Sequence, residues 1–153
     1  MGYTQIIRKQ IIRTDIDTLW NFISSPNNLE KITPEWMSFK ITSNNSETKM
    51  YAGMIISYIV RPILNFPMKW VTEITHVKEK EYFVDEQRIG PYKIWHHEHI
   101  FEVKEEGVLM TDIITYVPPF SFLGTIANII LIKKRVNKIF DYRNIVLEQI
   151  FRG

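Results

Sequence analysis

Residues 125–151 read TIANIILIKKRVNKIFDYRNIVLEQIF and form the strongest helix signal in the chain. Apolar side chains recur at the three- and four-residue spacing of one helix face, whereas Lys133, Lys134 and Glu148 lie away from it. The predicted stripe consists of Ile129, Ile132, Val136, Ile139, Phe140, Val146 and Ile150. A helix of this length spans ~40 Å at a rise of about 1.5 Å per residue. Because it needs an extended apolar surface to lie on, we expect a sheet to provide that surface.

The remainder of the chain is mostly strand-like. Residues 3–13 predict a first strand, after which one short helix begins at Thr14 and Asp15. A second short helix opens at Pro26, runs through Leu29 and Ile32, and is stopped by Thr33 and Pro34. Six further strand-like segments follow, at residues 39–43, 54–61, 68–77, 82–89, 93–103 and 108–117. This order predicts an α+β fold, in which a curved antiparallel sheet of six or seven strands wraps around the C-terminal helix. We expect residues 1–153 to form a single domain.

The composition limits the class of protein and its partners. The 153 residues are 45% hydrophobic, 24% charged and 13% aromatic, a balance typical of a globular protein. The absence of cysteine excludes disulfides and thiolate metal sites. No segment resembles a signal peptide or is apolar for long enough to cross a bilayer, so we expect a cytoplasmic protein without stable membrane insertion. The net charge of +2, carried by dispersed basic residues, does not predict binding to nucleic acid.

The alternation of side chains along each strand separates two faces of the predicted sheet. The more charged face should meet water; it carries Lys69, Glu73, Thr75, Glu86, Arg88, His96, Glu98, Thr111 and Thr115. The opposite face should meet the helix; it carries Trp70, Thr72, Ile74, Phe83, Asp85, Gln87, Trp95, His97, His99, Phe101, Asp112, Ile114 and Tyr116. Since a buried polar group without a partner costs ~1–3 kcal/mol, the polar members of the inner face predict a hydrogen-bonded network or a cavity.

Several motifs resemble one protein family. They are NLEKITP at 28–34, PMKW at 67–70 with Glu73 and Ile74, FVDEQ at 83–87, GPY at 90–92, WHHEHIF at 95–101, and IFDYR at 139–143 with Asp112 and Tyr116. With the order of elements, they resemble the START-like (SRPBCC) superfamily, and within it a bacterial ligand-binding subgroup related to polyketide cyclase/dehydrase-like proteins. The resemblance covers essentially the whole chain and implies a helix-grip fold with an internal cavity.

We therefore expect a small hydrophobic or aromatic ligand, such as a lipid, quinone or polyketide-like compound, between the sheet and the C-terminal helix. The predicted ligand-binding residues are Trp70, Phe83, Asp85, Gln87, Trp95, His97, His99, Phe101, Asp112, Tyr116, Phe140 and Arg143. The protein would act as a carrier or sequestering protein, and the sequence contains no cofactor motif. A protein partner that uses the same groove is a further, weaker hypothesis.

Two more specific hypotheses, acid–base catalysis and metal binding, involve the same residues. In a cyclase/dehydratase-type enzyme, Asp85 would orient His97 as an acid–base group, and Tyr116 would donate a hydrogen bond to a developing oxyanion. The pair His97 and His99, beside Asp85 and Asp112, has ligand types that suit a metal. Because the H-x-H pattern is a weak signal by itself, we favour a hydrogen-bonded histidine cluster and predict no metal.

Two features leave alternatives open. Arg143 either pairs with Asp112 or Asp85 in the interior, or forms a surface ion pair with Asp141 or Glu148. Residues 120–124 contain Phe120 and Phe122 between a Pro-Pro stop and the helix, a placement that suits either a mobile lid or a loop packed on the core.

Overall fold

A computed structural model describes residues 2–44, 48–61, 65–118 and 126–152, with the side chains of 126–129 excepted. The strands are β1 (Thr4–Ile12), β2 (Lys40–Ile41), β3 (Met54–Val60), β4 (Met68–Lys78), β5 (Tyr82–Ile89), β6 (Ile94–Lys104) and β7 (Gly107–Val117). The helices are α1 (Ile16–Ile23) and α2 (Ile126–Ile150), and short 3₁₀ turns cover Pro26–Leu29 and Glu35–Met37. The lid segment predicted at 120–124 lies outside the described residues.

All seven strands form one antiparallel sheet in the order β1-β7-β6-β5-β4-β3-β2. Neighbours from β3 to β7 are consecutive in the chain, whereas β1 returns to pair with β7, Arg8 opposite Asp112. The α+β class and the seven-stranded sheet predicted from the sequence are confirmed. The tight β6–β7 turn depends on Gly107, whose φ is +140° and whose missing Cβ would lie 2.2 Å from the Ile12 carbonyl oxygen.

The first helix begins where the sequence predicts. Asp15 is its N-cap: the side chain accepts hydrogen bonds from the Thr18 amide at 2.8 Å and the Thr18 hydroxyl at 2.7 Å. The second short helix also begins where the sequence predicts, at Pro26, but it is a 3₁₀ helix and ends at Leu29. The Thr33 hydroxyl donates to the Leu29 carbonyl at 2.6 Å, and Pro34 disfavours helical geometry in the residue before it.

The C-terminal helix turns a partly different face inward from the one predicted. Its buried side chains are Ile132, Val136, Phe140, Arg143 and Leu147. Leu147 is 0% exposed although the predicted stripe omitted it, whereas Ile150 is 40% exposed and Val146 is only partly buried. Steps of four, four, three and four residues keep one face inward at 3.6 residues per turn, and continuing that face leads to Leu147.

The two faces of the sheet differ as the alternation predicts. The outer face carries an ion-pair cluster, in which Arg88 contacts Glu73 at 2.6 Å and Glu86 at 3.0 Å while His96 contacts Glu86 at 2.8 Å. Thr111 is the exception, since it is 7% exposed instead of facing water. It lies on β7 between the paired strands β1 and β6, and side chains on both sides cover it.

The inner face and α2 together enclose two adjoining apolar clusters. One extends from Trp20 and Ile23 of α1 to Phe101 and Leu147, and the other joins Trp95 and Tyr116 to Val136 and Phe140 of α2. Within the described ranges, no helix has both the length and the hydropathy needed to cross a bilayer.

Candidate functional site

A cavity of about 450 Å³ lies between the inner face of the sheet and α2. Strands β3 to β6 form one wall and α2 forms the opposite wall, and residues of the segments 29–37 and 91–92 also line the cavity. This volume is within the range of ~300–1,000 Å³ typical of small-molecule sites. The cavity occupies the place that the sequence predicts for a ligand.

One end of the cavity is aromatic. Tyr58 of β3 stacks against Trp70 of β4 with ring centroids 5.9 Å apart. Trp70 meets Trp95 edge-on at 5.4 Å and Tyr92 at 5.6 Å, and Phe39 packs on Tyr58 at 4.6 Å. Such a surface buries a large apolar area and favours flat, hydrophobic ligands.

The other end carries a buried tetrad of two histidines and two aspartates. Inward-facing positions on β5, β6 and β7 place Asp85, His97, His99 and Asp112 side by side. His97 Nε2 donates to Asp112 Oδ1 at 2.7 Å, and His99 Nε2 donates to Asp85 Oδ2 at 2.6 Å. The second nitrogen of each ring lies farther from the other carboxylate, at 3.4 Å for His97 and 3.3 Å for His99.

Burial and the contacts among the four side chains together determine which members of the tetrad are charged. Burial raises the pKa of Asp112, but hydrogen bonds from both histidines outweigh it and hold this pKa far below its ordinary value. Burial also raises the pKa of Asp85, and the charges of His97 and His99 reverse that shift.

The two histidines shift in opposite directions. Burial and the charge of neighbouring His99 lower the pKa of His97 to about 4. Burial also lowers the pKa of His99, yet its hydrogen bonds to Asp112 and Asp85 outweigh that effect and raise it. At a pH between the lowered pKa of His97 and the raised pKa of His99, the tetrad therefore contains two carboxylates, one imidazolium and one neutral imidazole.

Arg143 of α2 completes the polar end. Its Nη1 lies 3.8 Å from Asp112 Oδ1, and its guanidinium lies 4.9 Å from the centre of the Phe140 ring. The interior pairing that the sequence left open is thus the one observed. The two acidic residues of the alternative surface pairing have other partners, because Asp141 contacts Arg8 and Glu148 contacts Arg152.

The predicted ligand-binding residues divide into two groups. Those that line the cavity are Trp70, Phe83, Asp85, Trp95, His97, His99, Phe140 and Arg143. The residues Gln87, Phe101, Asp112 and Tyr116 are not part of its lining. Asp112 lies against the two histidines instead, and Phe101 packs against Trp20 with centroids 5.6 Å apart.

Gln87 and Tyr116 have other roles. The Gln87 side chain donates to the Tyr92 carbonyl at 2.6 Å and accepts from the Tyr92 amide at 3.1 Å, so it holds the β5–β6 turn. Tyr116 packs against Trp95 at 6.0 Å and Tyr92 at 5.6 Å. Of the proposed acid–base trio, Asp85 and His97 therefore lie together on the cavity wall, whereas Tyr116 lies behind its aromatic end.

The prediction missed several lining residues. Tyr58, Thr72, Tyr92 and Ile139 belong to the wall, and Tyr58 forms a 2.8 Å hydrogen bond with Thr72. The inward alternation that selected Trp70 extends to β3 and would have included Tyr58. The position of Tyr92 depends on the folded turn, which no strand pattern describes.

Asp85, His97 and His99 also lie close enough to share a cation, with one potential ligand atom from each within 4.8 Å of the others. Their contacts with one another favour a different interpretation. In the tetrad, both short histidine contacts lead to carboxylate oxygens, and the Arg143 cation lies beside it. We therefore describe the cluster as a hydrogen-bonded network.

The sequence matches no protein-family model and no curated protein sequence. Protein TTHA0849 from Thermus thermophilus is similar in structure, with a TM-score of 0.75, 12% identity and coverage of 95% of both chains. The major latex-like protein 151 from Panax ginseng has a TM-score of 0.67 and 12% identity, with 99% of both chains covered.

A third similar structure is the di-domain ARO/CYC StfQ from the steffimycin biosynthetic pathway. Its TM-score is 0.72 at 11% identity, and the match covers 97% of this chain and 50% of that one. The chain has a helix-grip fold. This helix-grip fold confirms the architecture implied by the sequence resemblance, and it places the cavity between the long helix and the sheet.

Proposed function

We propose that this helix-grip protein binds a small hydrophobic molecule in its internal cavity, as a carrier or sequestering protein. The observation that carries the proposal is the cavity of about 450 Å³ with one aromatic and one polar end. A lipid, quinone or polyketide-like compound would place its apolar body among Tyr58, Trp70 and Trp95, where water is easily displaced. The ginseng major latex-like protein and the ARO/CYC protein share the fold that forms this cavity.

The proposal can be tested by native mass spectrometry of protein purified from its own host. We expect a co-purifying apolar molecule that dissociates on denaturation. Isothermal titration with fatty acids, quinones and polycyclic aromatic ketones would then define the class of ligand. Empty protein in repeated preparations, together with no binding by that panel, would contradict the proposal.

A matched pair of variants separates the cavity from the surface. Ile139 lines the cavity on α2, whereas Ile145 on the same helix is exposed. Ile139→Trp should fill part of the cavity and weaken binding, and Ile145→Trp should leave binding unchanged. Equal affinities of the two variants would place the ligand elsewhere.

A cyclase/dehydratase-type reaction is the second candidate function, and the tetrad on the cavity wall favours it. The lowered pKa of His97 leaves this ring as a base, and the raised pKa of His99 favours that ring as an acid, within one site. The ARO/CYC protein has the same fold. His97→Ala should abolish turnover of a cyclisable ketone while leaving its binding measurable. An unchanged rate would exclude His97 from the chemistry.

A further inference from the structure

We propose that the ligand is uncharged and presents a carbonyl-type oxygen to the Arg143 guanidinium at the polar end of the cavity, and that a second acceptor atom can meet the Trp70 indole at the aromatic end. This inference rests on the proposed binding function and specifies the chemistry of the ligand. It follows from two buried donors without acceptors and from the charge balance around them.

Arg143 is 9% exposed and lines the cavity. Its Nε–H has no hydrogen-bond acceptor among the described residues, and its contact with Asp112 is a long one at 3.8 Å. Buried polar groups are paired in the great majority of native structures. An unpaired guanidinium N–H on a cavity wall therefore indicates an acceptor that arrives with the ligand.

Trp70, on the sheet side of the cavity, also has a buried donor without an acceptor among the described residues. Its indole is buried in the aromatic end of the cavity, and Nε1 has no acceptor within the described parts of the chain. Tyr58 and Trp95 fix the ring by contacts at 5.9 and 5.4 Å. An indole N–H only donates, so the matching ligand atom is again an acceptor such as an oxygen.

The charges around the cavity favour a neutral acceptor over a carboxylate. The groups that can balance ionised Asp85 and Asp112 are Arg143 and His99, whose pKa these two carboxylates raise. A ligand carboxylate would add an uncompensated negative charge to a buried site, which is strongly unfavourable. Protonation of His97 could compensate it, but burial and His99 hold the pKa of His97 at about 4. A ketone, ester or quinone oxygen accepts the N–H groups without this cost.

Three probes of nearly the same shape test the inference: acetonaphthone, ethylnaphthalene and naphthoate. At pH 7 we expect the wild-type protein to bind the ketone about tenfold more tightly than the hydrocarbon, since a hydrogen bond to a charged donor contributes this much. Naphthoate should bind more weakly than the ketone. Arg143→Lys should reduce the preference for the ketone over the hydrocarbon.

The control variant is Arg152→Lys, which alters an exposed arginine outside the cavity, paired with Glu148, and should leave the preference intact. Circular dichroism verifies that each variant is folded. Equal affinities for ketone and hydrocarbon, or tighter binding of naphthoate, would overturn the inference while leaving the binding function in place. Failure of all three probes to bind would count against the binding function itself and the inference with it.

Discussion

The imidazole rings of His97 and His99 lie with their centroids 3.6 Å apart in the interior of the protein. Two positive charges at this separation repel each other strongly where water is excluded. Each ring has two carboxylate oxygens nearby, at 2.6 and 3.3 Å for His99 and at 2.7 and 3.4 Å for His97. The repulsion between the rings, and not a difference in these distances, therefore favours one charged and one neutral ring.

This pair predicts how stability depends on pH. Below pH 6.5, the ordinary histidine pKa, the unfolded chain protonates both rings, whereas the folded chain keeps His97 neutral down to about pH 4. Above pH 6.5, the unfolded chain loses both protons, whereas the folded chain retains the one on His99 until the pH passes its raised pKa. The tetrad's contribution should therefore be largest near pH 6.5 and decrease on either side, by up to ~1.4 kcal/mol per pH unit on the acid side as far as about pH 4.

Urea unfolding between pH 5 and pH 8 measures this dependence. His97→Gln should flatten the acid side, since the group that protonates only in the unfolded chain is gone. His76→Gln, which alters an exposed histidine on β4, serves as the control and should retain the wild-type profile. A wild-type profile without a maximum would show that the two rings titrate independently.

Asp112 is the carboxylate on which the tetrad depends most. It accepts from His97 and lies near both His99 and Arg143. Asp112→Asn should reduce the free energy of unfolding by ~3–5 kcal/mol, because it leaves buried cations uncompensated. Asp141→Asn breaks only the exposed pair with Arg8 and should cost ~0–1 kcal/mol. Similar small losses for both variants, measured by urea unfolding, would contradict the charge assignment of the tetrad.

The face that α2 turns towards the sheet predicts which of its residues contribute most to stability. Leu147 is fully buried, whereas Ile150 is partly exposed. Leu147→Ala should destabilise the protein by ~2–5 kcal/mol, through lost burial and the space left behind. Ile150→Ala should have a clearly smaller effect in the same thermal or chemical unfolding experiment. A larger destabilisation by Ile150→Ala than by Leu147→Ala would show that α2 buries the face predicted from the periodicity instead.

Gln87 holds the β5–β6 turn and with it the ring of Tyr92 on the cavity wall. Gln87→Ala removes two hydrogen bonds to the Tyr92 backbone and should cost ~1–3 kcal/mol. It should also weaken ligand binding at the aromatic end. The matched control is Gln5→Ala, which removes an exposed bond to Thr115.

Gly90→Ala provides an independent check on the same turn. A Cβ at this position would lie 2.3 Å from Gln87 Oε1, so the Gln87 side chain would have to move. We expect Gly90→Ala to reproduce the binding defect of Gln87→Ala in calorimetric titration. Unaltered binding in both variants would remove Gln87 from any role in shaping the cavity.

The sequence by itself determined the element order and the faces of the strands. Both depend on local rules. A long segment with apolar residues at every third or fourth position predicts a helix, and alternate residues of a strand share one face. For this reason the alternation alone places Asp85, His97, His99 and Asp112 together on the inner face. The same rules failed at Thr111, where burial comes from neighbouring strands.

Only the tertiary structure decided which inner-face residues meet the cavity and which lie behind it. The position and roll of α2 against the sheet bury Leu147 and bring Arg143 to Asp112. The folded β5–β6 turn diverts Gln87 to the backbone and places Tyr92 on the wall. These outcomes depend on contacts between elements distant in the chain, and a local pattern of polarity contains no information about such contacts.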